Sequence, residues 1–279
     1  MNSTRIVALA LFLLAPLVSA QDARSAQLSV VDLEGTPFER GLEHGTKLRS
    51  QIAELMSAFT NDLAKAIGGD SNHASARFLA ATHYDAAVRR FTPSLLDEVR
   101  GIALGSGQTF EDVFAYQLSD EIWAQAELLS AHKCTTIGVD RDGDRPAFVA
   151  QNMDLPIWMH AHPTVLRIRL PDSDLVSLVV TIPGLLGANG MNSKRVAVGV
   201  NTVLQIRACR DGLPVTFVVR GLLEQVDQAS AVAFLERVRH ASGQAYTVGG
   251  PDSVQGFECS AGKVVRFTAF RSRVRTVSR

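Results

Sequence analysis

Cysteine is scarce in this chain: 279 residues hold three, Cys134, Cys209 and Cys259. An odd count excludes complete pairing, so in an oxidising compartment at least one thiol stays free or pairs with something external. A Cys209–Cys259 bond would leave Cys134 free, although spacing alone does not choose among the three pairs. Net charge is lacking too. Lys plus Arg and Asp plus Glu are each 28, which excludes a global field drawing in nucleic acid or an anionic membrane surface. Nothing in the charge favours these over a neutral small molecule, and partners must be argued from sites. No repeat period, low-complexity tract or Pro-, Gly- or Ser-rich linker divides the chain, so one domain is expected over residues 21–279. G-x-S-x-G, a phosphate loop and a dinucleotide fingerprint are all missing, which weighs against serine-hydrolase, nucleotide and hydride chemistry and leaves no cofactor to expect.

Long apolar runs are also lacking after the first twenty residues. "MNSTRIVALALFLLAPLVSA" carries one positive charge at Arg5, an apolar stretch from Ile6 to Val18, and small residues at Ser19 and Ala20. That pattern reads as a secretory signal peptide, residues 1–20, cut after Ala20. The stretch is short for a membrane span and is broken at Pro16. The expectation is a periplasmic or secreted protein with no membrane attachment once the leader is removed.

What is present falls into two textures. "LSVVDLEG" alternates like a strand ending at Gly35. "TPFERGLEHGTKLRSQIAELMSAFTNDLAKAIGG" predicts one helix entered through Thr36 and Pro37 and stopped by Gly68 and Gly69, with Ile52, Leu55, Met56, Phe59 and Leu63 as its core face. Further helices are expected after Thr92 and Pro93 and at "TFED", where Thr109 and Asp112 form a capping-box-like start. At Cys134 the period changes from 3.6 to 2. "CTTIGVD", "PAFVAQNMD", "TVLRIRL", "LVSLVVTI" and "RVAVGVNTV" read as strands of a largely antiparallel sheet, separated by turns at "RDGDR" and "PDSD". A helical pair from Pro214 and three further strands, "QAYTVGG", "SVQGFECS" and "KVVRFTAF", follow. Helices, sheet, helices and sheet in that order predict an α+β layered fold.

Two motifs invite a metal and neither sustains it. "DRDGDR" has its glycine fourth and Gln151 at the twelfth position, where a calcium loop needs glycine sixth and glutamate twelfth, so a hairpin turn is expected. His160 and His162 in "WMHAHP" have no companion ligand at a recognisable spacing. Cys134 by itself reads as a small buried residue at the start of a core strand.

Its neighbours alter that reading. "GTPFERGLEHG", the "CTT" at Cys134, "AQNMDLP", "GLLGANGMNSKRVAVGVNTV" and "GLPVTFVVRGLLE" together resemble the isopenicillin N acyltransferase-like (acyl-coenzyme A:6-aminopenicillanic acid acyltransferase) family of N-terminal nucleophile hydrolases. The resemblance runs from Val31 to about Ser260. It implies an αββα sandwich whose precursor cuts itself at Lys133–Cys134, giving fragments 21–133 and 134–279 that stay together as a heterodimer. Cys134 becomes the nucleophile at a new chain start. By the same resemblance Asn201 helps form an oxyanion hole, Asp154 orients the new ammonium, and Thr136 assists autocleavage or amine positioning. "MNS", with Asn192 and Ser193, is expected to shape a turn, and His44 to structure the cavity without moving protons.

The chemistry is coherent. A free cysteine thiol has a pKa of about 8.5 and only its thiolate attacks well. Cleavage adds an α-amine of pKa about 8 on the same residue, so nucleophile and base arise together. The implied activity is amide hydrolysis or acyl transfer on a linear, non-peptide C–N bond, with hydrolysis the default. The family's pattern continues beyond "VVRFTAFRSRVRTVSR", a tail unlike a finished core strand, so the sandwich is expected to be incomplete at the C-terminus. That supports an alternative, a truncated and inactive remnant acting as a binding protein. A thiol protease using His132 as base is opposed by geometry, since residues two apart on an extended segment do not readily bring imidazole to thiol.

Overall fold

The computed structural model describes residues 28–125, 134–160, 162–267 and 274–278. The leader expected at 1–20, His132 and Lys133 lie outside the described residues. Strand β1 (Ser29–Leu33) leads into helices α1 (Pro37–Lys47) and α2 (Arg49–Ile67), then α3 (Ala74–Ala80), α4 (Tyr84–Phe91), α5 (Pro93–Ser106), α6 (Phe110–Tyr116) and α7 (Ser119–Gln125). Strands β2 (Thr135–Val139) to β7 (Ala197–Thr202) follow: β3 is Phe148–Asn152, β4 Thr164–Arg169, β5 Val176–Thr181 and β6 Asn189–Asn192. Helices α8 (Val215–Leu223) and α9 (Gln228–Arg237) precede β8 (Gln244–Gly249), β9 (Val254–Cys259), β10 (Val264–Phe267) and β11 (Val274–Ser278).

The strands form two sheets. One has the order β1-β4-β5-β6-β7-β8-β9-β10 and the other β11-β2-β3. Every pairing is antiparallel except β1 with β4. The class is α+β. Helices cover one face of the large sheet, and the small sheet lies on its other face, where β2 and β3 meet β7 and β8. The described residues thus supply an αββ stack. The outer face of β2 and β3 leaves Ile137 and Phe148 exposed, and the second helical layer implied by the resemblance is not among those residues.

Local signals placed most elements. Thr36 and Glu39 close a full capping box on α1, and Pro37 sits in its first turn, satisfying donors that a helix start leaves open. Thr109 caps α6 by accepting from the Asp112 N–H. Gly107 ends α5 in the left-handed conformation. Two expectations are corrected. The first helix is really two, because Leu48 leaves helical geometry at φ −113°, ψ 21°; its N–H still bonds the His44 carbonyl, so the apolar period runs through the break unmarked. The basic tail also forms a strand, β11, paired along β2 from Val274–Val139 to Ser278–Thr135; an edge strand needs backbone pairing, not an apolar sequence.

Helices α1 and α5 approach backbone to backbone. A Cβ on Gly41 would lie 1.9 Å from the Glu98 carbonyl oxygen, and one on Gly101 2.2 Å from that of Phe38; Gly45 and Gly105 are comparably tight. This approach brings Arg40 of α1 to Glu98 of α5, and Arg220 of α8 completes a buried charge cluster. Burial alone would raise the Glu98 pKa, but Arg220 and then Arg40 more than offset it and hold the carboxyl ionised.

A cysteine-bearing cavity as candidate active site

Cys134 stands immediately before β2, partly exposed. Its carbonyl accepts from Asn201 Nδ2 of β7 at 2.6 Å, while the Thr136 hydroxyl donates to Asn201 Oδ1. One asparagine therefore ties the start of the small sheet to the large one. Gly199 makes this possible: a Cβ there would fall 2.7 Å from Thr136 Cγ2 and 3.0 Å from Gln151 Oε1. Gln151 of β3 makes the second tie, donating through Nε2 to the Val200 carbonyl at 2.6 Å and accepting from the Val200 N–H at 3.0 Å.

The thiol faces a small cavity of about 80 Å³. Its walls are mainly apolar, among them Trp123, Leu155, Met159, Ile182, Val200 and Val219, with Asp120 and Asp154 as its acidic members. Burial raises the Cys134 pKa above the ordinary thiol value, and the charges of Asp120 and Asp154 push the same way; the Asp154 backbone N–H and the Gln151 side chain, hydrogen-bonded at the thiol, pull against them. The thiol is protonated near neutrality and needs a base to attack. Cys134, Thr136, Asn201 and Asp154 thus converge on one place, with Asp154 presenting its main-chain N–H to sulfur as well as lining the cavity.

A clamped loop forms one wall. Ile182, Leu185, Gly187 and Ala188 face the cavity. His44 Nε2 accepts from the Gly184 N–H at 3.0 Å, and Gln117 donates to the Gly184 carbonyl while accepting from the Leu186 N–H. Arg220 donates to the Leu186 carbonyl. Burial lowers the His44 pKa to about 4, so the ring is neutral and carries its proton on Nδ1. Its work is to hold the wall. Asn192 shapes the β6–β7 turn by accepting from the Lys194 and Val196 N–H groups. His160 bonds the Leu155 carbonyl, and His162 faces Glu54.

The sequence reading passed over Asp120, Glu121 and Gln151 as site residues. Asp120 opens into the cavity, accepts a hydrogen bond from Thr202, and is raised by burial to a pKa of about 6. Glu121 lies behind it. Its Oε1 accepts from Ser242 and from the Val215 N–H, a free donor at the start of α8, while Oε2 has no partner. Burial, then the charge of Asp120, raises Glu121 to a pKa of about 8. The adjacent acids in "SDEIW" were the available signal.

Glu121 yields a pH-dependent prediction. Its folded pKa lies above its unfolded value near 4.5, so its contribution to stability is full below pH 4.5 and is lost as pH rises through about 8. Glu121→Gln keeps the acceptor for Ser242 and Val215 and cannot ionise. Urea unfolding should show the variant's gain over the parent growing by about 3–4 kcal/mol between pH 5 and pH 8. An equal difference at both pH values would contradict this.

Two stacked sheets under a helical layer, with a cysteine at the head of the small sheet facing an apolar cavity, define an α+β protein. Residues 140–276 match the family model described as acyl-coenzyme A:6-aminopenicillanic acid acyl-transferase. That is the family its motifs resemble. Among solved structures, penicillin V acylase from Agrobacterium tumefaciens is similar at 14% identity and a TM-score of 0.30, over 51% of this chain and 43% of that one. The chain thus matches less than half the length of that acylase.

Proposed function

We propose that the protein is a self-processing cysteine amidohydrolase or acyltransferase acting on linear, non-peptide C–N amide bonds, with Cys134 as an N-terminal nucleophile. The observation that carries this reading is the placement of the Cys134 thiol. It opens into an apolar cavity beside the Asp154 N–H and Gln151, while Asn201 and Thr136 fix its backbone.

In self-processing, the Cys134 sulfur attacks the Lys133 carbonyl, the acyl group shifts from nitrogen to sulfur and so frees the Cys134 amine, and water then hydrolyses the thioester to release the thiol and the Lys133 carboxylate. In turnover, that amine takes the thiol proton and the thiolate adds to the substrate carbonyl. The Asn201 side chain and the Asp154 N–H are assigned to the oxyanion. The ammonium then protonates the departing amine, leaving an acyl-thioester that water cleaves with the amine again as base. Asp154 holds the ammonium form. Burial keeps the thiol protonated near neutrality, so in turnover it is the free amine that activates it. Removal of a leader at 1–20 and export to the periplasm or medium belong to the same proposal, as does persistence of the two fragments as a heterodimer.

The test is release of amine from a panel of small linear amides. Turnover by the parent should be abolished in Cys134→Ala while the variant's thermal unfolding is retained. Equal turnover in both would remove Cys134 from the mechanism.

A further inference from the structure

The proposed mechanism supplies one cation to the cavity, the α-ammonium of Cys134, and assigns Asp154 to it. Asp120 is then left over. Among the described residues that line the cavity no lysine, arginine or histidine faces it. The groups around it are Glu121 on its own helix, Cys134 before β2, Asp154 after β3, and Thr202 of β7, whose hydroxyl holds the carboxyl in place. Around these polar groups the wall is apolar, so a charge that Asp120 meets there is weakly screened.

We propose that Asp120 is a specificity-determining residue of this cavity, selecting amide substrates that carry a cationic group near the scissile bond and rejecting those that carry a carboxylate there. This rests on the amidase reading above. A fixed carboxylate in an apolar wall attracts an ammonium and repels an anion at the same spot, whereas water outside would level the two.

The test uses two chloroacetamides of equal length, one ending in a primary ammonium and one in a methyl group, and reads Cys134 alkylation by peptide mass spectrometry. In each case the thiolate displaces chloride and forms a thioether, so no amidase turnover is needed. The ratio of the two rates cancels any change in thiol ionisation, since both reagents meet the same thiolate. At pH 7.5 the ammonium reagent should react about tenfold faster in the parent. In Asp120→Asn, which keeps an acceptor for Thr202, the ratio should fall to near one. A parent ratio near one, an unchanged ratio in Asp120→Asn, or a fall seen only in Asp154→Asn would overturn the assignment. A protein that shows the reagent preference but hydrolyses no amide would refute the enzymatic reading and leave the charge selection standing.

Discussion

Asn201→Ala is expected to lower amide turnover by about 10²- to 10³-fold, the usual loss when one oxyanion donor is removed. The side chain has two jobs. Nδ2 donates to the Cys134 carbonyl, and Oδ1 accepts from Thr136, so truncation also leaves a buried hydroxyl unpaired at a cost of about 1–3 kcal/mol. Asn201→Asp separates the two, because the carboxylate keeps the acceptor for Thr136 and loses the donor. Steady-state kinetics with urea unfolding should show both variants losing kcat, and the Asp variant losing less through the Thr136 contact. Full activity in Asn201→Ala would remove Asn201 from the oxyanion role.

Glu98→Ala is expected to cost about 3–5 kcal/mol in folding stability, the range for breaking a buried ion pair from one side. Glu98 is wholly buried between two guanidiniums: Arg40 donates from Nε and Nη2, and Arg220 from Nη1 and Nη2. Removing it takes away the ion-pair partner of Arg40 and, among the described residues, leaves Arg220 with only Glu224, 3.7 Å away. Because Arg220 also holds the Leu186 carbonyl of the cavity wall, the loss extends to the site. Glu98→Gln keeps an acceptor but no charge and should fall between the parent and the Ala variant. Urea denaturation with intrinsic fluorescence reads the difference; a loss below 1 kcal/mol in Glu98→Ala would contradict the account.

Much of the fold was legible because its signals are local. The Thr36–Glu39 box, Pro93 at the start of α5, Gly107 at its end and the period-2 runs all act within a few residues. The rest depends on distant partners. The break at Leu48 interrupts no apolar period, and β6 is four residues long with glycine in it. The glycines that let α1 and α5 touch match each other across the chain and carry no helical signal alone. The candidate site divides in the same way. Cys134, Thr136, Asp154 and Asn201 stood out through short family motifs, and the fold brings them together. Gln151 reads as an ordinary strand residue until its amide is seen bridging the Val200 backbone 49 residues away. Asp120 reads as a first-turn helix acid until Thr202 and the cavity surround it.

The most direct test of the central claim is intact-mass measurement of the purified protein beside its Cys134→Ala variant, with a denaturing gel. Two fragments meeting at Lys133 and Cys134 in the parent, with a single chain in the variant, is the predicted result. One uncut chain in both, or cleavage at that bond that survives Cys134→Ala, would contradict it.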